Sequence, residues 1–129
     1  MTSGDSGLRL VDFLDHIEEA SRLAREYVAG MSEESFLKDR RTQQAVVLNL
    51  MTIGEAAARI ASEHKEFAAA HPEIPWVQMR GMRNRMAHGY FDIALDIVWQ
   101  TVQSSLPDLQ IHVAAALQKL KQSDPQRDG

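Results

Sequence analysis

The densest group of chemically useful side chains lies in residues 80–92. Three arginines fall within six positions, and a histidine, a glycine and a tyrosine follow them: Arg80, Arg83, Arg85, His88, Gly89 and Tyr90. No acidic residue occurs between residues 74 and 91, although the chain as a whole has a net charge of -4. Guanidinium, imidazole and phenol groups beside a glycine that stops a helix are suited to phosphodiester chemistry.

Cleavage of RNA without a metal needs a base for the 2′-hydroxyl, an acid for the leaving oxygen and a cation for the phosphate oxygens. His88 can exchange protons because imidazole titrates near neutral pH. Arg83 can hold phosphate through its planar fork of N–H donors. The Tyr90 hydroxyl can donate a hydrogen bond or accept a modification. One histidine cannot easily be acid and base in the same step, so we expect two copies of the chain to share the work.

The spacing of these residues depends on where their helix ends. Arg83 and His88 are five residues apart, which places them about 140° apart around a straight helix. A helix that stops at Gly89 puts His88 in the last turn and Tyr90 beyond it, so the three side chains can converge. The negative end of the helix dipole then favours a protonated His88.

The bulk composition limits the other possibilities. The 129 residues are 44% hydrophobic and 25% charged, as in one globular domain. Without cysteines the chain has no disulfide or thiolate metal site, which fits a cytoplasmic protein. No apolar run approaches the roughly 20 residues that span a bilayer, and no signal peptide is recognisable, so we expect no membrane association. The other histidines lack metal-ligand spacing, and neither a metal nor a cofactor is predicted: His16, His64, His71 and His112.

The acidic balance argues against a general nucleic-acid-binding surface. Any contact with RNA is therefore expected to be local. The candidate basic patch is Arg80, Arg83 and Arg85, to which Lys38, Arg40 and Arg41 can be added. Arg80 and Arg85 are interpreted as solvated residues or as residues that position phosphate.

Apolar residues recur at helical spacing along most of the chain, and no segment alternates as a strand does. We predict an all-α, up-and-down bundle of four main helices plus short ones. Residues 1–6 are expected to be a disordered lead, 7–121 a single helical domain and 122–129 a polar tail. Two long helices are predicted at 7–29 and 40–67, followed by a short one at 75–87, one that Asp92 caps and one that restarts at Pro107. Ser32 and Asp39 are predicted N-caps. Gly54 among alanines predicts close approach of another helix, either from this chain or from a second copy.

The segment from Arg83 to Tyr90 reads Arg-x4-His-x-Tyr and resembles the signature of HEPN-domain proteins, specifically the HepT toxins of HepT/MntA toxin–antitoxin pairs. The likeness covers roughly residues 8–120. It extends to the blocks Asp39-Arg40-Arg41-Thr42-Gln43, Asn49-Leu50, Ile53-Gly54-Glu55-Ala56, His71-Pro72-Glu73-Ile74-Pro75-Trp76, Gly81-Met82-Arg83-Asn84 and Ile97-Val98-Trp99.

The resemblance implies a helical homodimer that cleaves RNA without a metal, with its active site in a cleft between the two copies. Arg83 and His88 would be catalytic, and Asn84 would be a supporting polar residue. Tyr90 matches the tyrosine to which the partner, an MntA-like nucleotidyltransferase antitoxin, transfers AMP. The added phosphate charge would keep RNA out of the site.

Two other interpretations remain open at this point. The chain can be a catalytically silent HEPN module that docks a nucleotidyltransferase or a nucleotide. It can also be a purely structural dimer, in which Arg83 is a surface residue and His88 satisfies carbonyls at a helix end. Glu55 either lies at a tight packing contact or orients a motif arginine across the cleft.

Overall fold

Helices form all the regular structure of the described residues. The computed structural model describes the backbone of residues 3–88 and 94–123 and the side chains of residues 9–85 and 94–122. The helices are α1 (Ser3–Tyr27), α2 (Glu33–Leu37), α3 (Arg40–Glu63), α4 (Lys65–Ala70), α5 (Trp76–His88), α6 (Leu95–Gln100) and α7 (Leu106–Ser123), with a π-helical segment (Thr101–Ser105) between α6 and α7. No strand occurs within these residues, and the all-α prediction is confirmed.

The central element is α3, which packs against α1 and α5. Its apolar stripe is buried along its whole length: Val46, Val47, Leu50, Ile53, Ala56, Ala57 and Ile60. By length and composition α3 is the one described helix that could cross a membrane. Its burial against two neighbouring helices is that of a core helix. The continuous segment formed by α6, the π-helical turn and α7 completes the bundle by packing on α1.

Both predicted N-caps are confirmed. The Ser32 hydroxyl accepts a hydrogen bond from the Ser35 N–H (3.1 Å), and the Ser35 hydroxyl accepts one from the Ser32 N–H (3.0 Å), which forms a capping box. The Asp39 carboxylate accepts hydrogen bonds from the Thr42 N–H (3.1 Å) and the Thr42 hydroxyl (2.8 Å). These two bonds hold the pKa of Asp39 below its usual value, because they favour the charged carboxylate.

Three helix boundaries differ from the prediction. The first helix begins at Ser3, so residues 3–6 of the predicted lead are helical. The predicted 40–67 helix breaks at His64, whose φ of -133° and ψ of 57° lie outside the helical region. After the break, the Phe67 ring lies 4.3 Å from the His71 ring, centroid to centroid, which brings α4 and the following loop together.

The third difference concerns Pro107, which does not restart a helix but lies within a continuous one. Proline has no N–H to donate to the carbonyl four residues earlier, and its ring crowds that carbonyl. The π-helical turn precedes it, with the Leu106 N–H bonded to the Thr101 carbonyl. This hydrogen bond spans five residues instead of four, and the wider turn accommodates the proline without ending the helix. The predicted helix stop at Gly89 and the cap at Asp92 lie outside the described residues.

The close helix contact predicted from Gly54 is confirmed, and the neighbour is α5. A Cβ added at Gly54 would lie 2.4 Å from the Arg83 Cβ and 2.7 Å from the Met79 carbonyl oxygen. Both distances are too short for any side chain. The main chain of α5 therefore rests directly on α3 at the turn that carries Arg83.

This contact predicts opposite effects for two glycine substitutions. In Gly54→Ala, an overpacking cost of about 1–3 kcal/mol should outweigh the gain of about 1 kcal/mol in helix propensity. Gly81→Ala is the matched control, because an added Cβ there meets nothing within 4 Å, and it should gain roughly 0.5–1 kcal/mol. Urea unfolding of both variants measures the difference. Equal stability of the two variants would contradict the close approach.

Candidate active site

Arg83 lies on α5, and each nitrogen of its guanidinium donates a hydrogen bond. Nη1 donates to Glu55 Oε1 (3.1 Å), and Nε (3.3 Å) and Nη2 (3.0 Å) donate to Asn84 Oδ1. A guanidinium carries five N–H donors, so the contacts made within the described residues engage three and leave two. The side chain is about one-third exposed (34%), which leaves the remaining donors within reach of an anion.

Glu55 reaches Arg83 because it follows Gly54 on α3. The glycine lets the α5 main chain approach α3, and the next carboxylate then meets the guanidinium. The side chain of Glu55 is 57% exposed, and a pair this open to solvent contributes little stability. Its effect is on orientation, since it holds the planar guanidinium from one side while Asn84 holds it from the other.

Arg83 lies in a surface hollow of about 610 Å³, here called the Arg83 groove. Three helices line it: α1 through Phe13 and His16, α3 through Met51, Thr52, Glu55, Ala56 and Arg59, and α5 through Arg83 and Asn84. The hollow therefore runs across the solvent side of α3. Its volume lies in the range of small-molecule sites.

A second arginine cluster lies at the α1 wall of the groove. The guanidinium carbons of Arg9 and Arg59 lie 5.7 Å and 5.2 Å from the centroid of the Phe13 ring. Both arginines pair with Glu63. The hydrogen bond from Arg59 lowers the pKa of Glu63. Positive groups thus occur at two places along the groove, and each is held by a carboxylate.

The residues predicted from the motif fall on different sides of α5. Arg83 and Asn84 share the groove. Arg85 lines a separate hollow of about 440 Å³ between α5 and the α6–α7 segment, and Arg80 is exposed. Two residues correspond to about 200° around a helix, so Arg83 and Arg85 cannot face the same ligand. His88 is the last residue of α5, its side chain is not among those described, and Tyr90 lies outside the described residues.

The groove residues that were not singled out from the sequence as part of this site include Phe13, His16 and Arg59. His16 was considered only as a metal ligand. The spacing held a signal, because Phe13 and His16 are three residues apart and border the buried stripe of Leu14 and Ile17. The sequence does not show that α3 and α5 lie beside this face of α1, so the spacing alone does not identify a site. Within the described residues, no three His, Asp or Glu side chains are placed to hold a metal ion.

Comparison with known proteins identifies the family. The family described as "Ribonuclease HepT-like" matches residues 17–116. The chain belongs to the HepT-like ribonuclease family. A probable ribonuclease HepT from Thermococcus cleftensis is 39% identical over 99 residues, which cover 77% of this chain and 87% of the relative.

Two further relatives are similar over most of the chain. A putative RNase from Caldanaerobacter subterraneus subsp. tengcongensis is 37% identical over 109 residues, which cover 84% of this chain and 95% of the relative. A putative RNase from Methanocaldococcus jannaschii is 33% identical over 96 residues, which cover 74% and 77%. No solved structure matches the chain significantly. The family match includes Glu55, Arg83 and Asn84 and begins just after His16.

The orienting role of Glu55 can be measured in the resting protein. Glu55→Ala should lower the free energy of unfolding by less than about 1 kcal/mol, because the pair is exposed. The Arg83 Nε–H group should nevertheless become more mobile, which would lower its heteronuclear NOE. Glu26→Ala is the matched control, since it removes the i,i+4 carboxylate partner of Arg22 on α1. An unchanged Arg83 signal in Glu55→Ala would contradict the role.

Proposed function

We propose that the protein is a metal-independent endoribonuclease that acts as a homodimer and that a nucleotidyltransferase antitoxin silences it by adding AMP to Tyr90. The observation that carries the nuclease assignment is the state of Arg83. Its guanidinium is held by Glu55 and Asn84, lies in an open groove and has two N–H donors that no described residue engages. A cation fixed in advance is what the charge of a phosphoryl transition state requires.

Each group has a defined part in the proposed reaction. The 2′-oxygen of RNA loses its proton and attacks the adjacent phosphorus, so a new O–P bond forms while the bond from phosphorus to the 5′-oxygen breaks. Arg83 binds the non-bridging oxygens as negative charge grows on them. His88 donates a proton to the leaving 5′-oxygen. The products are a 2′,3′-cyclic phosphate and a 5′-hydroxyl.

The helix geometry supports a dimer. α5 continues through His88, so the Cα positions of Arg83 and His88 lie about 140° apart around the axis. A single straight helix directs such side chains to different sides. A second copy placed by a two-fold axis can bring its own His88 toward the Arg83 groove, and the same contact then occurs twice.

The negative charge of an AMP group on Tyr90 would silence the nuclease. Tyr90 is two residues after His88 and close in sequence to three arginines. A phosphodiester on its oxygen adds a negative group that competes with RNA for those arginines and repels the backbone of the substrate. The resemblance of Arg83–Tyr90 to the HepT signature supports this part of the proposal.

Purified protein should cleave RNA in the presence of EDTA. Arg83→Ala should lower kcat/KM by about 10²- to 10³-fold, the usual effect of removing one donor to a developing oxyanion. Arg22→Ala is the control, because Arg22 is an exposed arginine of α1 outside the Arg83 groove. Cleavage only with added Mg²⁺ would contradict metal independence. No cleavage under any condition would favour a silent docking module.

Coexpression with an MntA-like nucleotidyltransferase should add the mass of one or more adenylyl groups to the protein. Tyr90→Phe should take up none, because it lacks the acceptor oxygen. The chain has one other tyrosine, Tyr27, which is 42% exposed, so Tyr27→Phe is the matched control and should be modified as the wild type is. Modification that persists in Tyr90→Phe would refute the assignment.

A further inference from the structure

The reaction proposed above needs two proton transfers, but the motif supplies one histidine. The other four histidines have distinct surroundings. The His64 ring lies edge-on to Phe13, with centroids 6.3 Å apart. His71 Nδ1 lies 2.9 Å from Glu73 Oε2, and the ring stacks on Phe67. His112 is half-buried on α7.

His16 differs from these three because it is exposed and lines the Arg83 groove. Within the described residues, no hydrogen bond or ion pair occupies its ring nitrogens. The imidazole therefore keeps both nitrogens for a ligand. It belongs to α1, whereas Arg83 belongs to α5, so the two residues border the hollow from different helices with α3 between them.

We propose that His16 is the general base of the cleavage reaction and takes the proton of the RNA 2′-hydroxyl. This inference rests on the proposed nuclease function. It assigns the second proton transfer to the groove that already holds Arg83. The proposal requires that the ribose next to a phosphate bound by Arg83 lies on the α1 side of the hollow, which His16 lines.

The positions of the two histidines suit different roles in the reaction, His88 as the acid and His16 as the base. His88 is the last described residue of α5, and a helix stop at Gly89, as the sequence predicts, would let the helix dipole favour the protonated ring that an acid needs. His16 lies about three turns from either end of α1, beyond the first and last turns where a helix dipole acts. The charged groups that face or flank it are Asp12 and Glu19 on α1, Glu55 and Arg59 from α3, and Arg83 from α5.

The proton balance closes without another reactant. The neutral ring of His16 gains the 2′-hydroxyl proton as the O–P bond forms. The protonated ring of His88 loses its proton to the 5′-oxygen as the P–O bond breaks. Each ring then returns to its starting state by exchange with water. His88 comes from the same chain or from the second copy, and the role of His16 is the same in both cases.

The test uses the full-length protein, a defined RNA oligonucleotide and EDTA. His16→Gln should lower kcat by about 10²- to 10³-fold, as loss of a general base does, while KM changes by less than about twofold. The acidic limb of the profile of kcat/KM against pH should flatten, because that limb reports loss of the proton from the base. Added imidazole should restore cleavage to His16→Ala.

A substrate with sulfur in place of the scissile 5′-oxygen separates base from acid, because a thiolate leaves without a proton. His88→Gln should recover on this substrate, and His16→Gln should remain slow. The control is His112→Gln, which should behave as the wild type does, because His112 does not line the groove. Unfolding midpoints should match for wild type and His16→Gln, since His16 is exposed.

Several results would overturn the assignment. Recovery of His16→Gln on the sulfur substrate would make His16 an acid. A raised KM with an unchanged kcat would make it a phosphate-binding residue. Wild-type rates in His16→Gln would remove it from the reaction while leaving the nuclease function intact. A wild type that cuts no RNA would refute both proposals together.

Discussion

The site depends on one steric constraint, which is the absence of a side chain at Gly54. Because no Cβ separates them, the main chain of α5 rests on α3 at the turn of Arg83 and Met79. Glu55, the next residue of α3, is thereby brought within 3.1 Å of the Arg83 guanidinium. α5 makes its main contact with α3, so this approach sets both the packing of the helix and the orientation of its arginine.

The acidic balance of the chain bears on how RNA would bind. A protein with a net charge of -4 offers no broad electrostatic attraction to a polyanion. The positive groups of the groove are few and are fixed instead, since Arg83 is held by Glu55 and Asn84 and the Arg9–Phe13–Arg59 stack is tied to Glu63. Such an arrangement gives weak affinity for RNA in general and a defined geometry at one phosphate. It suits a nuclease whose specificity comes from the site.

The sequence predicted the fold well where the signal is local. The caps at Ser32 and Asp39 depend on residues three positions away, and the glycine at 54 among alanines indicates a helix contact by itself. The π-helical turn before Pro107 has a local cause, the missing N–H of that proline, but a proline also suits a helix start, which is what the sequence predicted. The break at His64 accompanies a contact between distant segments, because the His64 ring lies against Phe13 of α1. The groove likewise depends on contacts between segments that are far apart in the sequence. Arg83 could be selected from its motif, but its neighbours on α1 could not, because 67 positions separate residue 16 from residue 83.

The second proton-transfer group can come from a second copy of the chain or from His16, and these two sources place different demands on the fold. A base from a second copy requires only that the dimer contact be specific, and the position of α1 relative to α5 is then unconstrained by catalysis. A base from His16 requires α1 and α5 to keep a fixed separation, although the main contacts of each are with α3 rather than with one another. The fully buried apolar residues of α3 then set the width of the site as well as the stability of the bundle: Val46, Leu50, Ile53, Ala57 and Ile60. Volume changes in that core would alter catalysis through the distance between two helices, even where they leave Arg83 and its partners in place.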